Sequence, residues 1–360
     1  MLKTNPADDE LEVSIFGPGV GESVVVHLGA GQWMIVDSCV APGARVPAAL
    51  EYLSALGVDV AERVRVVAVT HWHDDHTAGV ASVLGACSKA QLFCTAAIKN
   101  EDFFRQLVAS QQLELRSETG SGLDEMGQLF NLLAERKTKG DGRIVTPQYA
   151  SAHTIVFRAV ATETSPECVV EALSPSSMSV TRSILTFEPR VGDPKRKLPN
   201  PGPNELSVVL HVRLGAEVAL LGADLETGTS NELGWRAVLG SARRPHLKAA
   251  IVKVPHHGSA GADLQGVWQD MVKTGAHAGV TSFSSSGLPK PADLQRLKDR
   301  TTNVFHTSPA KPAALKLDSA TTRTLDGVKI RERRGQMGHV RFRARGGVVT
   351  HEVFGTARSV

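Results

Sequence analysis

The stretch Thr70-His71-Trp72-His73-Asp74-Asp75-His76 decides how this sequence folds. It follows residues 63–70, a Val-rich and nearly continuous apolar run that is typical of a strand buried on both faces. Imidazoles and carboxylates are ligands that zinc and manganese take from proteins, and a loop leaving a strand can aim two pairs of them in different directions. The stretch therefore predicts a two-metal centre at the end of a buried strand, rather than a solvated polar loop. The predicted ligands in it are His71, His73, Asp75 and His76.

Two other predicted strands end in groups that could complete such a centre. Residues 217–221 run into Gly222-Ala223-Asp224, and residues 249–254 run into Pro255-His256-His257-Gly258-Ser259. Taken alone, an aspartate after a strand is more often a cap or turn residue, and adjacent histidines are often incidental. Enzymes built on sheets collect their sites at one edge, however, so three polar clusters at three strand ends are expected to meet. We predict that Asp224 bridges the two metal ions.

The length and composition of the chain are those of an ordinary globular protein. Its 360 residues, 42% hydrophobic and 21% charged, allow one large domain or two smaller ones and exclude dominant disorder. The net charge of +3 does not by itself indicate nucleic acid as a partner. No stretch approaches the roughly 18 to 20 apolar residues of a membrane span, and the amino terminus lacks the apolar core of a secretory signal. The cysteines are not spaced like a disulfide framework or a zinc clip, so we expect a cytoplasmic protein without membrane contact.

Short apolar runs alternate with helical patterns along the chain, which predicts an α/β protein. Further strands are predicted at residues 11–16, 23–28, 32–37, 91–94, 154–159, 168–173 and 207–212. Helices are predicted at residues 46–56, 80–84, 101–109, 126–136 and 292–298. Residues 137–142 and 189–203 have the composition of loops, and the basic segment 328–360 is predicted to form two or three strands.

Taken together, the three strand-end clusters resemble the metallo-β-lactamase superfamily, whose first signature is His-x-His-x-Asp-His. Within it the chain resembles the ComEC-like branch, which comprises the hydrolase domain of competence proteins and its free-standing relatives. The resemblance covers roughly residues 10–310 and follows the family's order of motifs. The motifs that carry it include Ile35-Val36-Asp37-Ser38, Leu173-Ser174-Pro175, Asn204-Glu205-Leu206-Ser207-Val208-Val209, Leu221-Gly222-Ala223-Asp224 and Lys253-Val254-Pro255-His256-His257-Gly258-Ser259.

This resemblance implies an α/β fold in the form of an αββα sandwich, with two central mixed β-sheets flanked by helices. It predicts a hydrolase domain at residues 1–310, in which residues 95–165 are an insertion or a divergent stretch. Residues 311–360 are predicted to be a basic, strand-rich extension.

The resemblance also distributes the ligands between two metal sites. One ion would be held by His71, His73 and Asp224, and the other by Asp75, His76, Asp224 and His256. Of the adjacent histidines, His256 is the preferred ligand, while His257 would face substrate and stabilise leaving-group charge or shuttle a proton; the reverse assignment stays open. Asp75 and His257 are therefore the predicted catalytic residues.

Several residues are predicted to support this centre or to contact substrate. Asp37 is expected to anchor the ligand loop from behind. By the resemblance, Ser174 occupies the position where most superfamily members supply another histidine. His153 is the one histidine that could fill that role, but a core or surface role is preferred for it. Asn204 and Ser259 are candidate substrate contacts. Relatives often carry Gly-His-Pro where this chain has Gly287-Leu288-Pro289, which indicates a shift in specificity.

Paired metal ions suit phosphodiester cleavage because they stabilise charge on both the attacking and the leaving oxygen. The resemblance implies a phosphodiester substrate, nucleic acid included, and thus a phosphodiesterase or nuclease that uses hydroxide bound to two zinc or manganese ions. Arginines within 331–345 and the run Lys195-Arg196-Lys197 could neutralise phosphates, although such charges also suit an exposed edge strand. Two alternatives remain: hydrolysis of a small ester, lactone or thioester, and a metal-stabilised module that binds a protein partner. A homo-oligomer is compatible with either.

Overall fold

Two eight-stranded β-sheets pack face to face in the computed structural model, which describes residues 4–99, 122–140, 143–187, 202–309 and 337–360. Helices cover the outer faces of both sheets. The predicted sandwich of two mixed sheets flanked by helices is therefore confirmed. No helix within these ranges has the length and apolar character needed to cross a membrane.

The first sheet combines an antiparallel and a parallel half. Its strands, in spatial order, are β15 (Val348–Gly355), β14 (Gly338–Arg345), β1 (Leu11–Gly17), β2 (Ser23–His27), β3 (Trp33–Val36), β4 (Val64–Val69), β5 (Gln91–Thr95) and β6 (Gln148–Ala150). Neighbouring strands are antiparallel from β15 to β3 and parallel from β3 to β6.

The second sheet repeats this plan. Its strands, in spatial order, are β16 (Arg358–Ser359), β13 (Asn303–His306), β12 (Val272–Val280), β11 (Ala249–Lys253), β10 (Glu217–Leu221), β9 (Leu210–Leu214), β8 (Cys168–Ala172) and β7 (Thr154–Ala159). Strands β7 to β10 are antiparallel, and strands β10 to β13 are parallel.

The helices connect the strands and shield the sheets. In chain order they are α1 (Ala48–Ala55), α2 (Val60–Arg63), α3 (Asp74–Thr77), α4 (Val80–Ala86), α5 (Gly122–Lys139), α6 (Ser177–Phe187), α7 (Gly234–Gly240), α8 (Gln265–Asp270) and α9 (Pro291–Arg300). Helix α5 runs to Lys139, so the prediction of a loop at 137–142 was wrong over its first half. The predicted helix at 101–109 lies outside the described residues.

The core between the sheets follows from alternation along each strand. In β1, Val13 and Ile15 point into the inter-sheet core, whereas Phe16 packs on the helical side. The sheets approach closely at Gly279 of β12, because a Cβ there would lie 2.5 Å from Ile15 Cδ1 and 3.1 Å from the Phe342 ring. A larger side chain at this position would therefore require the Ile15 side chain to shift.

The strands of the carboxy-terminal segment are members of both sheets. Residues 338–344 of β14 pair with the whole of β1, and β16 pairs with β13. The described part of residues 311–360 therefore packs within the sandwich and supplies an inner strand of the first sheet. The boundary at residue 310 between a hydrolase domain and an extension stays a prediction.

The topology brings the polar strand ends together. Strands β3 and β4 of the first sheet and β10, β11 and β12 of the second all end at the same edge of the sandwich, where their following loops meet. Ligand-bearing loops at the carboxyl ends of parallel strands are the usual location of a site in such a fold.

Candidate metal centre

Three side chains from two strand ends form the first group of potential ligands. His71 and His73 follow β4, and Asp224 follows β10; one ligand atom of each lies within 4.8 Å of the others. His71 Nε2 is 3.0 Å from His73 Nδ1, so the two rings turn these nitrogens toward a common point. Burial lowers the pKa of both imidazoles, most strongly that of His71, which also lies beside His76. Both rings are therefore neutral near pH 7 and hold lone pairs that a metal ion could use.

The second group lies on the other side of Asp224. His76 Nε2 is 3.6 Å from Asp75 Oδ2 and 3.4 Å from Asp224 Oδ1. His257 Nε2 is 3.1 Å from Asp75 Oδ2 and 3.5 Å from Asp224 Oδ2. Asp224 thus faces both groups, which is the position predicted for a bridging carboxylate.

The geometry fits metal ions in one further respect. His76 Nε2 and Asp224 Oδ1 are both buried, and neither has a hydrogen-bond partner among the described residues. An unpaired buried polar atom costs about 1–3 kcal/mol, so such atoms usually have a partner of another kind. Two of them facing each other at 3.4 Å fit a cation between them.

The pKa values of the second group indicate that its buried carboxylates attract positive charge. Burial opposes the charge of His257, but Asp224 and Asp75 outweigh it and raise its pKa to about 9. Burial likewise opposes the charge of His76, and Asp224 and Glu22 raise its pKa well above the usual value. Burial disfavours the ionised form of Asp224, yet His257 and His76 hold its pKa well below the usual range. In the absence of metal, protons on the two rings balance the carboxylates.

His256 and His257 point in different directions because of the backbone between them. Both residues have positive φ angles, +46° and +51°, which non-glycine residues seldom adopt. This conformation turns His257 into the buried cluster and leaves His256 at its edge, with Nδ1 3.4 Å from Glu226 Oε1 and Nε2 3.2 Å from Asn204 Nδ2. The preference for His256 over His257 as a ligand does not fit this geometry.

Asp37 contacts the strand end and one histidine of the cluster from the side away from Asp224. Its carboxylate accepts hydrogen bonds from the Thr70 backbone N–H at 2.8 Å and from Thr70 Oγ1 at 2.7 Å. Asp37 Oδ2, the oxygen that accepts from Thr70 Oγ1, is also 2.8 Å from His76 Nδ1. Thr70 Oγ1 is in turn 3.0 Å from His71 Nδ1. Asp37 therefore orients two histidines through their Nδ1 atoms and leaves each Nε2 facing the cluster.

The other predicted residues lie farther from the ligand atoms. Ser174 donates to the Ser207 carbonyl at 2.6 Å and accepts from the Val209 N–H at 2.8 Å, so it holds the lead-in to β9. Ser259 Oγ accepts from the Gly261 N–H and caps a short turn. Neither serine has a hydrogen bond to a ligand side chain within the described ranges.

His153 is also separate from the cluster. Its Nδ1 is 3.3 Å from Glu171 Oε1, and its Nε2 is 3.0 Å from Ser241 Oγ. It does not supply the additional histidine for which it was considered.

Three buried residues at the cluster were missed by sequence reasoning: Glu22, Lys253 and Thr281. Lys253 Nζ is 2.6 Å from Glu22 Oε1 and 3.7 Å from Asp224 Oδ1, and it donates to the Ala223 carbonyl at 2.8 Å. Burial opposes the Lys253 charge, but Glu22 and Asp224 raise the pKa of its ammonium. A lysine in the otherwise apolar strand 249–254 is a signal that could have revealed this role.

Helix α5 closes one side of the motif loop. The backbone N–H of Gly122, its first residue, donates to Asp74 Oδ1. A Cβ at Gly122 would lie 2.2 Å from the Trp72 carbonyl oxygen, so only glycine permits this approach. Asp74 therefore anchors the helix to the ligand loop.

The arginines of the carboxy-terminal strands form intramolecular ion pairs. Arg341 pairs with Glu352, Arg343 with Glu12, and Arg345 with Asp9. These arginines were candidates for phosphate binding, but each is paired with a carboxylate of this chain, and two of the three are largely buried. The remaining basic residues of that hypothesis, at 195–197 and 331–334, lie outside the described residues.

Comparison with known proteins identifies related folds. Residues 16–100 match the family model described as the Metallo-beta-lactamase superfamily. No curated protein matches the chain. A HARLDQ-motif mutant of a metallo-beta-lactamase from Cronobacter sakazakii is 17% identical, with a TM-score of 0.30; the match covers 60% of this chain and 63% of that one. This chain thus spans less than two thirds of that relative's length.

Two further solved structures are similar. The metallo-beta-lactamase fold protein YhfI from Bacillus subtilis is 11% identical, with 68% of this chain and 70% of that one covered and a TM-score of 0.31. A protein of unknown function from Enterococcus faecalis is 10% identical, with a TM-score of 0.33; the match covers 86% of this chain and 72% of that one. The family match covers the segment that carries the histidine motif, and the two mixed sheets flanked by helices are the architecture of the metallo-β-lactamase fold.

Proposed function

We propose that this chain, which has the metallo-β-lactamase fold, is a metal-dependent hydrolase of phosphodiesters. The observation that carries the proposal is the pair of buried ligand groups that share Asp224, with His76 Nε2 and Asp224 Oδ1 left without a hydrogen-bond partner among the described residues. Two divalent ions bound there would polarise the substrate and lower the pKa of a water molecule toward neutrality. The resemblance to the ComEC-like branch supports a phosphodiester, nucleic acid included, as the substrate.

The proposed ligands follow the geometry of the two groups. His71, His73 and Asp224 would hold one ion. Asp75, His76, Asp224 and His257 would hold the other, with zinc or manganese in each site. Asp75 belongs to this set because its Oδ2 lies near both histidines of the second group. Each site then contains imidazole nitrogen and carboxylate oxygen, the donor types that suit zinc and manganese.

We assign the substrate-facing role to His256 instead of His257. His256 lies at the edge of the cluster beside Asn204, whose Oδ1 is buried without a hydrogen-bond partner in the described part of the chain. His256 can donate a proton to the leaving oxygen, and Asn204 can orient the substrate. Substrate contact by Ser259 stays a prediction.

Activity and metal content of the purified protein test this proposal together. We expect hydrolysis of bis(p-nitrophenyl) phosphate or single-stranded DNA in the presence of manganese or zinc, and loss of it with a chelator. Asp75→Ala should abolish hydrolysis, since it removes a carboxylate that faces both imidazoles of the second group. His153→Asn is the matched control, because His153 is also partly buried and paired but is separate from the cluster. Cleavage that survives both the chelator and Asp75→Ala would refute the proposal.

A parallel panel of substrates separates the remaining possibilities. Turnover of a small ester, lactone or thioester with no turnover of phosphodiesters would assign the same centre to another substrate class. A protein that retains metal and is inert on every member of the panel would instead indicate a metal-stabilised module that binds a protein partner.

A further inference from the structure

Glu22 is close to the second ligand group but approaches it from the opposite side. Its carboxylate oxygens are 3.7 Å from His76 Nδ1 and 3.8 Å from His257 Nδ1. Asp75 and Asp224 face the Nε2 atoms of the same rings. One ligand atom each of Glu22, His76, Asp224 and His257 lie within 4.8 Å of one another. Because an imidazole cannot direct both nitrogens at one ion, an ion held by the Nε2 atoms would have Glu22 behind its ligands rather than among them.

A hydroxyl group connects Glu22 to His257. Thr281 Oγ1 donates to Glu22 Oε2 at 2.6 Å and is 3.0 Å from His257 Nδ1. Because the single hydroxyl proton is used toward the carboxylate, the oxygen can only accept from the ring. His257 therefore carries its proton on Nδ1 when the ring is neutral, and Nε2 keeps the lone pair that faces Asp75 and Asp224.

The direction of this chain of hydrogen bonds is set by Lys253. Its ammonium is 2.6 Å from Glu22 Oε1 and can only donate, so that oxygen must accept. Glu22 thus accepts at both oxygens, from Lys253 and from Thr281. All these groups are buried, so solvent does not compete for the bonds.

The first sheet contains the same arrangement. Asp37 accepts from Thr70 Oγ1, which is 3.0 Å from His71 Nδ1. A carboxylate, a threonine hydroxyl and a histidine Nδ1 thus recur in the same order at both strand ends. The recurrence indicates that Glu22 and Thr281 serve His257 as Asp37 and Thr70 serve His71.

We propose that Glu22 and Thr281, oriented by Lys253, are positioning residues that select the metal-binding tautomer of His257. The proposal rests on the proposed metal centre. It makes a specific demand on Glu22→Gln: the amide oxygen must face Lys253, so the amide NH₂ faces Thr281 and donates to it. The threonine hydroxyl then donates to His257 Nδ1, and the ring proton moves to Nε2, where it blocks the lone pair.

The first test measures metal binding without any substrate, by competition with a chromophoric chelator. We expect Glu22→Gln and Thr281→Val to weaken the binding of one of the two zinc ions about 10- to 100-fold, as for other residues that orient ligands. Thr281→Ser keeps the hydroxyl and should bind both ions like the unchanged protein. Equal affinities for Thr281→Val and Thr281→Ser, or unchanged affinity for Glu22→Gln, would overturn the proposal.

The second test reads the tautomer directly. Nitrogen-15 NMR of histidine-labelled, chelator-treated protein at pH 10, with the His257 signals identified by their loss in His257→Gln, should show the proton on Nδ1 in the unchanged protein and on Nε2 in Glu22→Gln. The same tautomer in both proteins would refute the proposed positioning of His257 by Glu22 and Thr281. If the unchanged protein binds no zinc, the proposed metal centre is refuted. If it binds two zinc ions and the variants bind them equally well, only the positioning role of Glu22 and Thr281 is refuted.

Discussion

Replacing Lys253 with methionine tests how strongly the cluster depends on the buried Lys253 ammonium. Lys253 is 1% exposed, pairs with Glu22 at 2.6 Å and donates to the Ala223 carbonyl. Methionine has a similar volume, so Lys253→Met removes the charge and the donor with little change in packing. It leaves Glu22 buried beside Asp224 and the other carboxylates without its cation.

Breaking a buried ion pair by removing one partner costs about 3–5 kcal/mol, because the remaining charge has no compensation. That is a large part of the roughly 5–15 kcal/mol that stabilises a typical domain. We therefore expect Lys253→Met to lower the free energy of unfolding by about 3–5 kcal/mol in the presence of a chelator. Saturating zinc should restore part of this loss, because bound ions supply positive charge to the same carboxylates.

Urea unfolding of four proteins gives the answer: the unchanged chain, Lys253→Met, Glu22→Gln and the double variant. The double variant should be more stable than Lys253→Met alone, because Glu22→Gln replaces the unpaired buried carboxylate by a neutral amide. A loss below about 1 kcal/mol for Lys253→Met, well under the cost of an unpaired buried charge, would refute the reasoning. Strict additivity of the two substitutions would do the same.

Three other predictions follow from the site. His257→Gln should reduce bound zinc from two ions to one by elemental analysis, whereas His256→Gln should keep both; equal loss in the two variants would contradict the geometry. Without metal, stability should fall between about pH 6.5 and 9, because the folded-state pKa of His257, about 9, lies above the unfolded value near 6.5. The contribution of the protonated ring, up to about 3 kcal/mol, is fully present below about pH 6.5 and is lost as the pH rises through about 9. A chelated protein of constant stability over this window would oppose it, and zinc should remove the decline. Gly122→Val should displace α5 from the Trp72 carbonyl and cost about 1–3 kcal/mol in thermal or urea unfolding, while Gly85→Ala, which has room for a Cβ, should be neutral.

Much of the site could be predicted because its ligands follow strands that are easy to recognise. Strands β4, β10 and β11 lie within one or two residues of the predicted ranges, since each is an almost continuous apolar run. Once those runs were strands of one sandwich, the polar groups after them had to share an edge. The same reasoning could not choose between His256 and His257, because the choice depends on two positive φ angles that no residue type in the stretch requires.

The supporting groups could not be predicted for a different reason. Glu22 lies 259 positions from Thr281 along the chain, and their contact exists only because the two sheets pack at this edge. The antiparallel pairing of β14 with β1 likewise joins residues over three hundred positions apart. Local periodicity predicts that such segments are strands, but it does not specify their neighbours.

The balance of buried charge connects these features. Glu22, Asp37, Asp75 and Asp224 are all buried at one edge of the sandwich, and Lys253 is the ammonium among them. One ammonium offsets one carboxylate, so the remaining negative charge requires either protons on His76 and His257, whose pKa values are raised, or divalent ions. Metal binding must then displace those protons, so affinity should increase with pH while the rings titrate. Asp75 and Asp224, two of the carboxylates that make the fold dependent on added positive charge, are thus also groups that would hold the ions.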